Sequence, residues 1–186
     1  SIIMSYLFKN LLVFLTVILV LSVQANSDPD YAQVFAKLKK GLNQDASMAF
    51  SGTYPKVQHE KAHMQAMSEA GFESVRIFLP YAASDFTKFE ERIQDALDYN
   101  LAVVVCMWRA YDWVDNPDAA TRIAKRWKVI AETWKEKFSN ELVFEILNEP
   151  KGIGFKDKST YPQVMELYDA AIAAVREVDS DRPILI

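Results

Sequence analysis

Asn148 and Glu149 end the apolar run that begins at Phe144, and Pro150 follows at once. A carboxylate beside a carboxamide, at the end of a segment that reads as a buried strand, is equipped for proton transfer: the acid gives or takes a proton and the amide holds a hydroxyl in place. Similar chemistry recurs wherever an apolar run stops. Asn43 ends Lys40–Asn43, Arg76 lies in Ser74–Pro80 with Tyr81 just beyond, and Trp108, Arg109, Tyr111, Asp112 and Trp113 crowd the end of Leu101–Trp108. A carboxylate, amides, guanidinium groups and aromatic faces that stack on pyranose rings form a set suited to a sugar-cleaving cleft. Tyr111 and Trp113 read as sugar-stacking residues, because clustered exposed aromatics mark binding surfaces.

A second motif competes. His59-Glu60-Lys61-Ala62-His63 matches the HExxH pattern of zinc proteases, with two imidazoles one helical turn apart and Glu60 placed as a base. These are the only two histidines of the chain, and the flanking residues are polar where a metalloprotease helix is buried under its cleft. A third ligand would have to be a downstream carboxylate such as Glu90 or Glu91. The motif therefore reads as a solvated helix face, and no metal site is expected. Glu145 shares strand parity with Glu149 and reads as half of a buried ion pair with a neighbouring Lys or Arg. Cys106, the single cysteine, reads as a small buried strand residue, since one thiol excludes an internal disulfide.

The elements that must position these groups alternate between two periodicities. Lys40–Asn43 closes a first strand, and Lys56–Gly71 is rich in helix formers and ends on a glycine suited to a helix C-cap. Ser74–Pro80 is β-branched and stopped by proline, and Phe86–Asn100 places Phe86, Phe89, Ile93 and Leu97 on one helical face. Leu101–Trp108 is the nearly unbroken apolar run of a strand buried on both faces. After Asn116-Pro117 comes a helix with Ile123, Trp127, Ile130 and Trp134 as its core stripe; Leu142–Leu147 reads as the fourth strand, Tyr161–Asp181 as the fourth helix, and Arg182–Ile186 as the start of a fifth strand.

Composition bounds the answer further. The 186 residues are 51% hydrophobic and 25% charged, the profile of one well-packed soluble domain, and the net charge of −4 opposes binding by phosphate neutralisation, so nucleic acid is not an expected partner. Residues 1–25 read as a cleavable signal peptide: Met4 as start, Lys9 in the n-region, the apolar run Leu11–Val23, and a small-x-small cleavage site at Val23–Ala25. That run is shorter than the roughly 18–20 residues that cross a bilayer, so export without a membrane anchor is expected. The mature domain is residues 26–186. The sequence sets no oligomeric state.

Alternating strands and helices with short connections imply a parallel sheet with right-handed crossovers, and two architectures satisfy that: an open doubly wound sheet, or a closed (β/α)8 barrel. The first strand-to-helix turn has no glycine-rich phosphate-binding pattern, which removes nucleotide binding as a reason to choose the open sheet. Phe144–Pro150, Gly71–Pro80 and Val175–Ile186 together resemble glycoside hydrolase family 5, the cellulase and mannanase group, with the Asn-Glu-Pro tripeptide as the specific element. The resemblance implies a (β/α)8 TIM barrel of which about the first four and a half βα units are present. It implies that Glu149 is the general acid/base of a retaining glycosidase, that Asn148 hydrogen-bonds the sugar 2-hydroxyl, and that Arg76 orients the nucleophilic carboxylate. In the family that nucleophile lies on strand seven, outside these residues. Where the family commonly has a histidine on strand three, this chain has Trp108, which either stacks on sugar or caps the barrel. With Asn43, Tyr111 and Trp113 it completes the expected substrate-binding set; the partner is a polysaccharide or oligosaccharide, and no cofactor is implied. A non-catalytic carbohydrate-binding relative, a five-stranded doubly wound binding module and a zinc hydrolase are the alternative readings.

Overall fold

A computed structural model describes residues 31–44, 61–108, 116–138, 140–150 and 161–186. Ten elements alternate along the chain: α1 (Tyr31–Lys37), β1 (Gly41–Asn43), α2 (Lys61–Glu69), β2 (Ser74–Pro80), α3 (Thr87–Asp98), β3 (Ala102–Trp108), α4 (Ala119–Trp134), β4 (Leu142–Glu145), α5 (Tyr161–Val178) and β5 (Ile184–Leu185). The five strands form one parallel sheet in the order β1-β2-β3-β4-β5.

That order decides between the two architectures. A doubly wound sheet covers both faces by reversing strand order at a switch point, whereas right-handed crossovers that always step the same way put every connecting helix on one face. Here the steps never reverse. The chain therefore forms half of a (β/α)8 barrel, and the five-stranded doubly wound reading falls.

Strand alternation sorts side chains between helices and barrel interior. Val75, Ile77 and Leu79 of β2, Val103, Val105 and Met107 of β3, and Leu142 and Phe144 of β4 pack outward against the helices. The stripe Ile123, Trp127, Ile130 and Trp134 is wholly buried there, with Trp127 and Phe144 ring centroids 5.0 Å apart. The Trp127 indole N–H donates to the Ile146 carbonyl, so the largest core residue buries no unpaired donor. Gly71, at φ 85°, caps α2 in the left-handed conformation that its lack of a Cβ permits.

Inward, Val104 and Val143 meet Val34 of α1, with Leu38 and Leu185 against them. Helix α1 is the floor of the half-barrel. Lys37 bonds Asn100 and Glu141, which precede β3 and β4; Tyr31 donates to the Asp181 carbonyl ahead of β5, and Lys40 pairs with Glu73 ahead of β2. With the N-terminal ends clasped, the C-terminal rim is the open one, where barrel folds carry their chemistry.

The fourth strand ends at Glu145 and not at Leu147 as the apolar run suggests. Beyond Glu145 the backbone still bonds its neighbours, Ile146 N–H to the Leu185 carbonyl at 3.2 Å and Asn148 N–H to the Met107 carbonyl at 2.8 Å, but the regular ladder stops. Helix α5 stops at Val178, three residues short of Asp181, because the Asp179 carboxylate turns to Arg182, whose Nε lies 2.9 Å away.

Candidate active site

Arg76 is the hub of the barrel interior. It sits mid-strand in β2, its Cα paired with Asn43 on one side and Val104 on the other. Its Nε donates to Glu145 Oε2 at 2.6 Å and its Nη2 to Glu145 Oε1 at 2.5 Å, a two-point fork onto a carboxylate. The same Nη2 donates to Asn148 Oδ1 at 3.0 Å and approaches Cys106 Sγ at 3.1 Å. The guanidinium also lies 4.6 Å from the centre of the Phe78 ring, which meets Trp108 edge-to-face at 6.4 Å. Hydrogen bonding to Glu145 holds the Arg76 pKa above its ordinary value.

Three strands therefore deliver one cluster, β2 giving Arg76 and Phe78, β3 Cys106 and Trp108, and β4 Glu145 and then Asn148. Glu145 makes the ion pair its parity predicts, with Arg76 as the partner. Cys106 is fully buried, yet it faces this polar cluster and not an apolar layer; burial, and then the Glu145 charge, push its thiol far above the usual range. Parity does not carry through to Glu149. Glu145 and Asn148 are of opposite parity yet meet the same guanidinium, so the alternation slips where the ladder stops.

Glu149 is exposed at the C-terminal end of β4, next to Asn148, in the left-handed conformation at φ 39°. Asn43 is exposed at the end of β1 and, with Arg76 and Glu145, lines an open cavity of about 340 Å³. Trp108 is half-buried at the end of β3, and its carbonyl accepts the Tyr81 N–H at 2.9 Å. Arg109, Tyr111, Asp112 and Trp113 lie outside the described residues, as do His59, Glu60 and residues 1–25. Of the zinc motif, His63 is half-buried in α2. Glu90, a candidate third ligand, accepts the Trp134 indole N–H at 3.0 Å and pairs with Lys137. Among the described residues no group of three His, Cys, Asp or Glu is placed to hold a metal ion.

Cys106 and Phe78 are the members of the cluster that motif reasoning passes over. Their signal is register: Cys106 pairs with Glu145 across β3 and β4, and Phe78 with Cys106 across β2 and β3, so both share the inner face with Arg76.

A sequential parallel half-barrel with a carboxylate and carboxamide at its C-terminal rim defines the class as a (β/α)8 barrel. A family model described as cellulase, glycosyl hydrolase family 5, matches residues 37–186, and the chain belongs to this family. Among solved structures it is similar to endoglucanase Cel5A from the hyperthermophilic Thermotoga maritima, with 25% identity, a TM-score of 0.68, and coverage of 81% of this chain and 52% of that one. It is also similar to the cellulose synthase subunit Z of Clostridioides difficile, with 25% identity, a TM-score of 0.65, and 77% and 50% covered. A further Thermotoga maritima Cel5A structure, in complex with mannotriose substrate, matches at 26% identity and a TM-score of 0.60, with 69% and 44% covered. The chain spans about half the length of these structures. A search of curated proteins gave no match.

Proposed function

We propose that this chain is the first half of the barrel of an exported, retaining β-glycan hydrolase of endoglucanase type. Glu149 is its general acid/base. Asn148 binds the 2-hydroxyl of the sugar at the cleaved bond, and Arg76 orients the nucleophile. The observation that carries the reading is the pairing at the end of β4: Glu149 stands on the open rim, and the neighbouring Asn148 carboxamide is held by the Arg76 guanidinium at 3.0 Å. A carboxylate there can protonate a leaving glycosidic oxygen. A fixed amide beside it can strengthen its bond to the 2-hydroxyl as oxocarbenium character develops. Retention needs a second carboxyl group about 5 Å from the first, and the family assigns it to strand seven, in the other half of the barrel. The described half alone is thus expected to be inactive.

Asn43, through its carboxamide, and Trp108, with Tyr111 and Trp113 that follow it in sequence, through their rings, bind the substrate, which is a β-linked polysaccharide or its oligosaccharides. That one Cel5A structure holds mannotriose and another cellobiose supports a pocket class that accepts more than one such glycan. Export rests on Lys9, the run Leu11–Val23 and the Val23–Ala25 site, and N-terminal sequencing of the exported chain is expected to start at Asn26.

The test is Glu149→Gln in the completed barrel. Hydrolysis of unactivated glycan is expected to fall by roughly 10²–10⁴-fold, the usual share of general acid/base catalysis, with oligosaccharide affinity by calorimetry little changed. Retained turnover with lost affinity would overturn the assignment, and a completed barrel that binds glycan but does not hydrolyse it with Glu149 in place would favour the non-catalytic, carbohydrate-binding reading.

A further inference from the structure

Arg76 Nη2 has two hydrogens and three acceptors around it: Glu145 Oε1 at 2.5 Å, Asn148 Oδ1 at 3.0 Å and Cys106 Sγ at 3.1 Å. The shortest contact, together with the 2.6 Å bond from Nε, fixes the plane of the guanidinium on Glu145. A planar fork held at two points has no remaining rotation, so the direction of the second Nη2 hydrogen is set by Glu145. That hydrogen lies between Asn148 Oδ1 and Cys106 Sγ, of which the carboxamide oxygen is the stronger acceptor.

A carboxamide accepts only at its oxygen and donates only at its nitrogen. A guanidinium N–H facing the amide therefore turns Asn148 Oδ1 toward Arg76 and the Nδ2 donors away from it. Asn148 Nδ2 has no hydrogen-bond partner among the described residues. Its backbone is pinned as well, through the bond from its N–H to the Met107 carbonyl.

We infer that Glu145 is a positioning residue: through Arg76 it fixes which edge of the Asn148 carboxamide is presented, leaving the amide donors for a sugar hydroxyl. The inference rests on the proposed reading of Asn148 and Glu149 and adds a residue to it. Glu145 touches no substrate in this account. Its side chain is 19% exposed and that of Arg76 25%, so the pair is sheltered enough to hold one geometry yet lies directly beneath the rim. Glu145 also balances the Arg76 charge, so the cation that holds Asn148 does so without bringing an unpaired positive charge to the site.

A double-mutant cycle in the completed barrel tests this, because it reports coupling and not general damage. Glu145→Gln keeps the shape but presents a neutral amide to the fork. It is expected to lower kcat by about 10-fold or more with KM nearly unchanged, since the orienting bond matters most in the transition state. In an Asn148→Ala background the same change is expected to cost less than about 3-fold. Glu145→Asp, which retains the charge but draws the carboxylate back from the fork, is expected to show the same coupling, and it serves if Glu145→Gln does not fold. Equal losses in both backgrounds, for whichever variant folds, would overturn the inference by showing a merely structural pair. Glu149→Gln is run alongside: full activity there would instead sink the underlying reading, so the two failures are distinguishable.

Discussion

Glu149 holds a φ of 39°, a region in which any residue with a Cβ is crowded by its own carbonyl and which costs about 1 kcal/mol or more relative to glycine. The surroundings impose it: Asn148 just before is tied through its backbone to Met107 and through its side chain to Arg76, so the chain must turn at the next residue. Strain of this kind concentrates where a side chain must be delivered to a particular place. Glu149→Gly is accordingly expected to raise the unfolding free energy by roughly 0.5–1 kcal/mol in urea denaturation, while Glu149→Gln does not. Loss of stability in the glycine variant would mean that the Glu149 side chain holds the turn and is not merely displayed by it. At this scale the sequence was legible where a motif is contiguous. The place of Asn148 and Glu149 at the end of a strand and the ion-pair role of Glu145 could be read from a seven-residue stretch. What could not be read is the slip in alternation between Glu145 and Asn148, because it depends on where the ladder to β3 and β5 stops, a property of neighbours far away in the chain.

Among the elements, β2 and β3 were legible almost residue for residue, since β-branched and apolar runs bounded by proline or glycine leave little else to form. The α4 stripe was equally plain, with four large apolar residues at spacings of three and four. Helix α1 was not. It has seven residues, of which only Val34 is buried, and its place is set by tertiary clasps through Lys37 and Tyr31 and not by its own periodicity. The Arg-Pro start of β5 shows a related effect: what reads as a strand opening is a structural lock. Arg182 is 1% exposed, pairs with Asp179 at 2.9 Å, and donates to the Leu142 and Phe138 carbonyls at 3.0 and 3.1 Å, joining α5, β4 and the end of α4. Removing one partner of a buried, hydrogen-bonded pair strands the other, so Arg182→Ala is expected to destabilise the domain by about 3–5 kcal/mol in equilibrium denaturation. A change under about 1 kcal/mol would show that the lock is not holding β5.

At the scale of the whole molecule, the sheet has β1 and β5 as its outer strands, each with a ladder partner on one side only among the described residues, and Leu42 of β1 is 39% exposed. Open parallel edges of this kind pair readily with other chains. Residues 26–186 expressed alone are therefore expected to associate or precipitate, checked by sedimentation velocity; a monomer that melts cooperatively would contradict this. Function belongs to the same scale: a retaining glycosidase uses carboxylates from opposite sides of one barrel, and in the proposed reading β4 supplies only the acid/base of that pair. The most direct measurement of this claim is the leaving-group dependence of Glu149→Gln in the completed barrel. A general acid is needed only when the departing oxygen is a poor leaving group. The account predicts that glycosylation of the enzyme by an aryl glycoside with an acidic phenol, followed as the burst of phenol release, stays within about 10-fold of the parent, while cleavage of an unactivated β-glucan falls by roughly 10²-fold or more. An equal loss on both substrates, or none on either, would contradict it.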